Sequence, residues 1–198
     1  DIVDIIDRVL ADDHVVEFKD KMALGLTGKR IISTLPFFTY LKIAEGCSNC
    51  CSYCAIPSIR GKYRSVPMED VLEEASWLAG NGVTEINVVA QDSTRYGEDL
   101  YGKSRLPELL RELCCIDGIK WIRVLYCYPE RITDELIDVI ASEPKIVKYM
   151  DIPIQHSDEK ILAAMGRGGS EAELRALFKK LRERIEGLTI RTTLITGF

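Results

Sequence analysis

Four of the seven cysteines, Cys47, Cys50, Cys51 and Cys54, fall within eight residues. Cys47, Cys51 and Cys54 have the spacing Cys-x3-Cys-x2-Cys. A loop this short can wrap one inorganic centre and direct several sulfurs at it. A [4Fe–4S] cube usually takes its irons' protein ligands from cysteine thiolates, one per iron. If only three are supplied, one iron stays open. An open iron can chelate a small molecule, as a catalytic zinc does through its vacant coordination position. Cys50 offers another sulfur, but it adjoins Cys51, and neighbouring side chains in extended chain point to opposite sides. It is therefore read as a bystander. Two other centres use the same residues: a structural zinc held by all four thiols, or a disulfide pair. The two Cys-x2-Cys knuckles of a zinc framework are ordinarily separated by about a dozen residues or more. Here they abut, which favours the cluster.

The elements that must position this loop follow from periodicity. Apolar residues Ile2, Val3, Ile5, Ile6, Val9 and Leu10 recur at helical spacing. Residues 12–30 show little periodicity and read as a connector, with His14 a solvated residue. From Phe37 onward strand and helix patterns alternate. Strands are predicted over 39–43, 85–90, 120–127, 147–154 and 188–195. Helices are predicted over 68–79, 107–115, from Asp134 behind a Thr133 cap, from Ser157 through Met165, and from Ser170 to about Glu186 behind a Ser170-x-x-Glu173 capping box. Such alternation specifies an α/β fold with a parallel sheet and covering helices. Pattern alone does not separate a doubly wound sheet from a barrel.

Ligands of parallel sheets gather at the carboxyl ends of the strands. Polar residues stand there: Gln91 and Asp92 after the second strand, Gln155, His156 and Ser157 after the fourth. Gln91 and Asp92 can accept hydrogen bonds from an ammonium group, or cap the next segment. His156 reads equally as a hydrogen bonder where the next helix begins. Cys114, Cys115 and Cys127 are read as buried small hydrophobes rather than ligands.

Composition bounds the rest. A chain of 198 residues makes one domain of ordinary size, or one domain and a tail, and 46% hydrophobic residues support a sizeable core. The net charge of −5 argues against a broad nucleic-acid footprint. An odd cysteine count with adjacent pairs is no secreted disulfide framework, and no long apolar run is present; a reducing cytoplasm fits.

The stretch 40–65, with Cys47, Cys51 and Cys54 followed by Ile56-Pro57 and Arg60-Gly61, resembles the cluster loop of radical S-adenosylmethionine enzymes, and more narrowly the methylthiotransferases. The resemblance covers residues 37–198. It implies a partial (βα)6 barrel of about five parallel strands, truncated at the C-terminus, and makes residues 1–36 a connector and the tail of an N-terminal domain that would hold a second [4Fe–4S] cluster. Tyr126-x-Tyr128-Pro129 and Asp151-Ile152-Pro153 are similar to the RimO-type branch, which methylthiolates the β-carbon of an aspartate in a small-subunit ribosomal protein; the transfer-RNA (MiaB) branch differs in wording after the second strand, where this chain has Ala90-Gln91-Asp92, and after the fourth, where it has Pro153-x-Gln155-His156-Ser157-Asp158.

The resemblance further implies that Cys47, Cys51 and Cys54 hold a [4Fe–4S] cluster with one open iron. S-Adenosyl-L-methionine would chelate that iron, an external electron donor would reduce the cluster, and a 5′-deoxyadenosyl radical would take hydrogen from the substrate. Gln91 and Asp92 would meet the cofactor's ammonium, Arg167 its carboxylate, and Tyr53 and Ile195 its adenine, while Gln155 would line the cofactor face. Completing the sulfur transfer would need the N-terminal domain, so the chain alone is expected not to complete it.

Overall fold

A computed structural model of the chain describes residues 2–18, 20–23, 25–28, 30–33 and 35–198. In chain order the elements are α1 (Ile2–Leu10), a 3-10 turn (Lys21–Ala23), β1 (Phe38–Lys42), β2 (Ala44–Glu45), α2 (Ile56–Arg60), β3 (Arg64–Ser65), α3 (Met68–Gly80) and β4 (Glu85–Val89). A second 3-10 turn (Ser93–Arg95), α4 (Glu98–Tyr101), α5 (Leu106–Cys114), β5 (Trp121–Val124) and a third 3-10 turn (Pro129–Arg131) follow. The chain closes with α6 (Asp134–Ser142), β6 (Ile146–Asp151), α7 (Glu159–Ala164), α8 (Glu171–Arg184) and β7 (Thr189–Arg191).

The strands β1, β4, β5, β6 and β7 form one parallel sheet in that order. Five parallel strands with helical crossovers are what the alternating pattern requires. Parallel sheets usually bury both faces, but this one does not. Leu41, Ile86, Val88, Ile122, Val124 and Met150 point to one side and join the helices' core. Register places Tyr40, Asn87 and Arg123 side by side on the other. There Arg123 pairs with Glu85 and stacks on Tyr149, while Tyr40 and Trp121 stand exposed.

The helices take their predicted faces. Leu106, Leu109, Leu110 and Leu113 of α5 are fully buried, as are Val71, Ala75 and Leu78 of α3. Thr133 caps α6 by accepting from the Leu136 amide at 3.2 Å. Ser170 accepts from the Glu173 amide at 3.2 Å, but the Glu173 carboxylate accepts a hydrogen bond from the Ser170 hydroxyl at 3.0 Å instead of reaching back to an amide.

β7, expected over 188–195, forms only over Thr189–Arg191, and three other boundaries also differ clearly from the sequence reading. β5 ends at Val124, short of 127, because Tyr126 adopts a left-handed φ of 58° and its amide turns to the Asp151 carboxylate. β6 ends at Asp151; Gln155, with φ 68°, makes only a single bridge to Leu194 beyond β7. The helix expected from Ser157 starts at Glu159, capped by Asp158, which accepts from the Lys160 and Ile161 amides.

The connector expected over 1–36 includes Asp1, Lys19, Leu24, Lys29 and Thr34, which lie outside the described residues. Its described part is tied to β1, α3 and β3. Arg30 donates to the Tyr40 carbonyl at 2.6 Å and pairs with Glu74, and the Met22 carbonyl accepts from Arg64 at 2.7 Å. α1 forms as predicted, with Ile2, Val3, Ile6, Val9 and Leu10 exposed and Ile5 half-buried. No helix among the described residues is long and apolar enough to cross a membrane.

Candidate active site: a thiol loop at the strand ends

The cysteine loop leaves the carboxyl end of β1 and is closed at its base. β2 pairs antiparallel with β3, Ala44 against Ser65 and Glu45 against Arg64. The Cys47 amide donates to the Gly61 carbonyl at 3.1 Å, and the Tyr63 amide to the Ser48 hydroxyl at 3.1 Å. Ser65 is clamped by Asp99 at the start of α4, which accepts from its amide at 2.8 Å and its hydroxyl at 2.6 Å. Gly46 makes the turn possible: its φ is 73°, and a Cβ there would lie 2.3 Å from the Lys62 carbonyl oxygen.

Two further ties hold the loop's far side. Ser52 donates from its amide to the Met165 carbonyl at 2.9 Å and from its hydroxyl to the Ala164 carbonyl at 3.0 Å. Gly166 lies against the Cys50 carbonyl, where a Cβ would approach within 2.7 Å. The Asn49 amide group donates to Asp92 at 3.0 Å.

Asp92 is the hub of this arrangement. It is 1% exposed, at the carboxyl end of β4. Its carboxylate accepts from Asn49 and the Thr94 hydroxyl and stands 3.6 Å from the Arg131 guanidinium; its carbonyl accepts from the Tyr63 hydroxyl at 3.0 Å. The Thr94 hydroxyl in turn accepts from the Tyr128 amide at 3.2 Å. The strand ends of β4 and β5 and the thiol loop thus meet on one carboxylate.

None of the seven cysteines is in a disulfide. Cys47 is buried, Cys51 and Cys54 are partly buried, and Cys50 is exposed. Burial raises the Cys47 thiol; the Asn49 amide, 3.4 Å from its sulfur, opposes this, and Asp92, Cys51 and Cys54 add to it. Among the described residues no three histidine, cysteine or acidic side chains converge on one metal-ion position.

Arg167 reaches the same place from beyond α7. It is 7% exposed, its guanidinium carbon lies 3.9 Å from the centre of the Tyr128 ring, and it donates to the Tyr53 hydroxyl at 3.4 Å and the Pro153 carbonyl at 3.2 Å. Its Nε is buried without a hydrogen-bond partner. Burial works against its charge, but Tyr128, Tyr53 and Glu130 outweigh that and raise its pKa. Burial likewise holds the Tyr53 and Tyr128 phenols above their ordinary value, against the pull of Arg167. The Tyr128 hydroxyl lies 4.0 Å from the Cys51 sulfur.

The structure therefore gathers Cys47, Cys51, Cys54, Tyr53, Asp92 and Arg167. Gln91 is exposed at the end of β4. Gln155 joins the strand ends through its backbone, accepting from the Ile195 amide at 2.8 Å. Ile195 lines a cavity of about 350 Å³ with His156, Ile161, Leu194 and Phe198. His156 stands where the next helix begins, and its Nδ1 accepts from the Asp158 amide at 2.9 Å. Cys127 is buried as expected. Cys115 is not; it is exposed beyond the end of α5, with Cys114 half-buried. Sequence reasoning does not single out Asn49, Ser52, Tyr63, Thr94, Tyr128 or Arg131 as site residues. Tyr128 stands in a motif that the sequence displays, but nothing in its type assigns it to the loop.

A parallel α/β sheet carrying a three-thiol loop at its strand ends defines a radical S-adenosylmethionine protein, and residues 41–198 match the Radical SAM superfamily. The chain belongs to that superfamily. It is 54% identical over all 198 residues to the ribosomal protein uS12 methylthiotransferase RimO of Lachnoclostridium phytofermentans. It is 50% identical over 198 residues to the RimO of Caldanaerobacter subterraneus subsp. tengcongensis. It spans 45% of the length of each. Among solved structures it is similar to the radical S-adenosylmethionine methyltransferase TsrM of Kitasatospora setae, with a TM-score of 0.62 and 18% identity over 79% of this chain and 30% of that one. It is also similar to the cobalamin-dependent radical enzyme OxsB, with a TM-score of 0.62 and 12% identity over 79% of this chain and 23% of that one. Identities this low speak for the fold alone.

Proposed function

We propose that this chain is the radical-generating part of a methylthiotransferase that acts on an aspartate of ribosomal protein uS12. The observation that carries the reaction class is a loop whose thiols Cys47, Cys51 and Cys54 are free of disulfides and stand beside a buried arginine. The substrate rests on the two RimO relatives. The residues fit a [4Fe–4S] cluster and S-adenosylmethionine: three free thiols on an anchored loop, and in Arg167 a buried donor atom left over. When bound, the cluster's open iron and the cofactor supply reductive cleavage of a sulfur–carbon bond and a carbon radical for hydrogen abstraction.

The protein's own part is to bind, orient and exclude water. Cys47, Cys51 and Cys54 hold the cluster. Arg167 offers its guanidinium to the cofactor carboxylate. Gln91 accepts from the cofactor ammonium. Asp92, whose side chain is fully buried and already engaged by Asn49, Thr94 and Arg131, fixes the loop's position relative to β4 and leaves that ammonium to Gln91. Tyr53, Gln155 and Ile195 take the adenine side. The second cluster, the electron donor and the ribosomal protein's docking surface belong to this reading as partners of the longer protein.

The test is anaerobic reconstitution followed by electron paramagnetic resonance of the reduced protein with and without S-adenosylmethionine. A [4Fe–4S]+ signal that changes on adding the cofactor is expected. Cys47→Ala, Cys51→Ala and Cys54→Ala are each expected to abolish it, and Cys50→Ala to leave iron content near that of the parent. Stoichiometric zinc in place of iron, or a signal indifferent to the cofactor, would overturn the assignment.

A further inference from the structure

The Tyr128 hydroxyl stands beside the Cys51 sulfur, at 4.0 Å, and has no part in the function proposed above. The position of Tyr128 is fixed from several sides. The left-handed Tyr126 turns the chain out of β5. Cys127 is fully buried and its amide donates to the Asp151 carbonyl at 2.8 Å. The Tyr128 amide is held by Thr94 at 3.2 Å, and Pro129 then opens a 3-10 turn. The ring face is covered by Arg167 at 3.9 Å, a cation–π contact strengthened by burial.

A cysteine that ligates iron does so as a thiolate and has no proton to give. In the pair with Tyr128 the hydroxyl must then be the donor. Hydrogen bonds to cluster sulfurs and nearby charge are among the factors that set an iron–sulfur reduction potential. The reduced cluster carries one more negative charge than the oxidised one. A donor on its sulfur and a guanidinium behind that donor both favour the reduced form.

We propose that Tyr128 is a positioning residue that raises the reduction potential of the cluster, by donating to Cys51 and by seating Arg167 on its ring. The proposal rests on the cluster reading above. It assigns the second tyrosine of the Tyr126-x-Tyr128-Pro129 segment to electron uptake, not to substrate contact.

The experiment is a reductive titration of the reconstituted protein, followed by electron paramagnetic resonance, with iron and sulfide measured on each sample. Tyr128→Phe keeps the ring under Arg167 and removes only the donor. Its iron content is expected to match the parent and its midpoint to move to more negative potential. The expected change is a fall of about tenfold or less in the equilibrium constant for one-electron reduction, tenfold being about 59 mV. Tyr128→Leu removes the seat of Arg167 as well and is expected to shift further in the same direction. A midpoint at or above the parent's in either loaded variant would overturn the proposal. So would loss of iron from both variants, since Tyr128 would then retain the cluster and not tune it. If the parent itself takes up no iron, the cluster reading fails, which is a separate and recognisable result.

Discussion

Gly46→Ala is expected to unseat the thiol loop, with a loss of about 2–5 kcal/mol in folding stability and a large drop in the iron taken up on reconstitution. The added Cβ would lie 2.3 Å from the Lys62 carbonyl oxygen and 2.7 Å from that of Gly61. Both are backbone atoms, so no flexible side chain can swing aside. The φ of 73° adds the cost that any side chain meets in the left-handed region. What must yield is the base of the loop, where β2 and β3 pair through only two residues each. Gly82→Ala is the matched comparison. It has a φ of 87° with nothing within 4 Å of the added atom, so it should lose only about 1–2 kcal/mol. Urea denaturation of both variants, with iron stoichiometry, checks the pair. Equal losses would mean that backbone strain alone acts and that the close approach at Gly46 is relieved cheaply.

The second large effect concerns a residue that never needs to touch a ligand to matter. Asp92→Ala is expected to destabilise the protein by about 3 kcal/mol or more, because it strips a buried carboxylate from three partners at once. Asn49 loses its acceptor, the Thr94 hydroxyl loses its own, and Arg131 is left with Glu98 alone. Asp92→Asn keeps the shape and an acceptor for Thr94 but turns an amide donor toward the Asn49 amide and Arg131. It should lie between the parent and the alanine variant. Thermal denaturation at fixed pH ranks the three. An Asn variant as weak as the alanine would mean that the charge, not the hydrogen-bond geometry, carries the effect. A near-silent alanine would show that the loop does not depend on this hub.

The fold is legible because its signals are local. Strands and helices alternate in residue pattern, and α5 can be read from Leu106, Leu109, Leu110 and Leu113 alone. The thiols are legible because closely spaced cysteines admit few centres. What cannot be read are relationships between polar residues far apart in sequence. Asn49 and Asp92 meet across 43 positions, and Ser52 finds the Ala164 carbonyl across 112; serines and asparagines in loops give no warning of such partners. The strand ends are overrun for a related reason. Tyr126 and Gln155 have ordinary strand-compatible side chains, and only tertiary contacts with Asp151 and the β7 side hold them at positive φ. Cys115 is misplaced because its helix ends one residue before it.

The sheet has a dry side and a wet side, and that division separates two kinds of mutational freedom. Leu41, Ile86, Val88, Ile122, Val124 and Met150 carry the packing, and substitutions among them meet cavity and overpacking costs. Tyr40 and Trp121 stand exposed on the other side, where exchanges usually change stability by about 0.5 kcal/mol or less. Drift can therefore accumulate on one surface while the fold's thermodynamics are kept by the other. A lineage built this way can alter what faces the strand ends' open side and keep the scaffold.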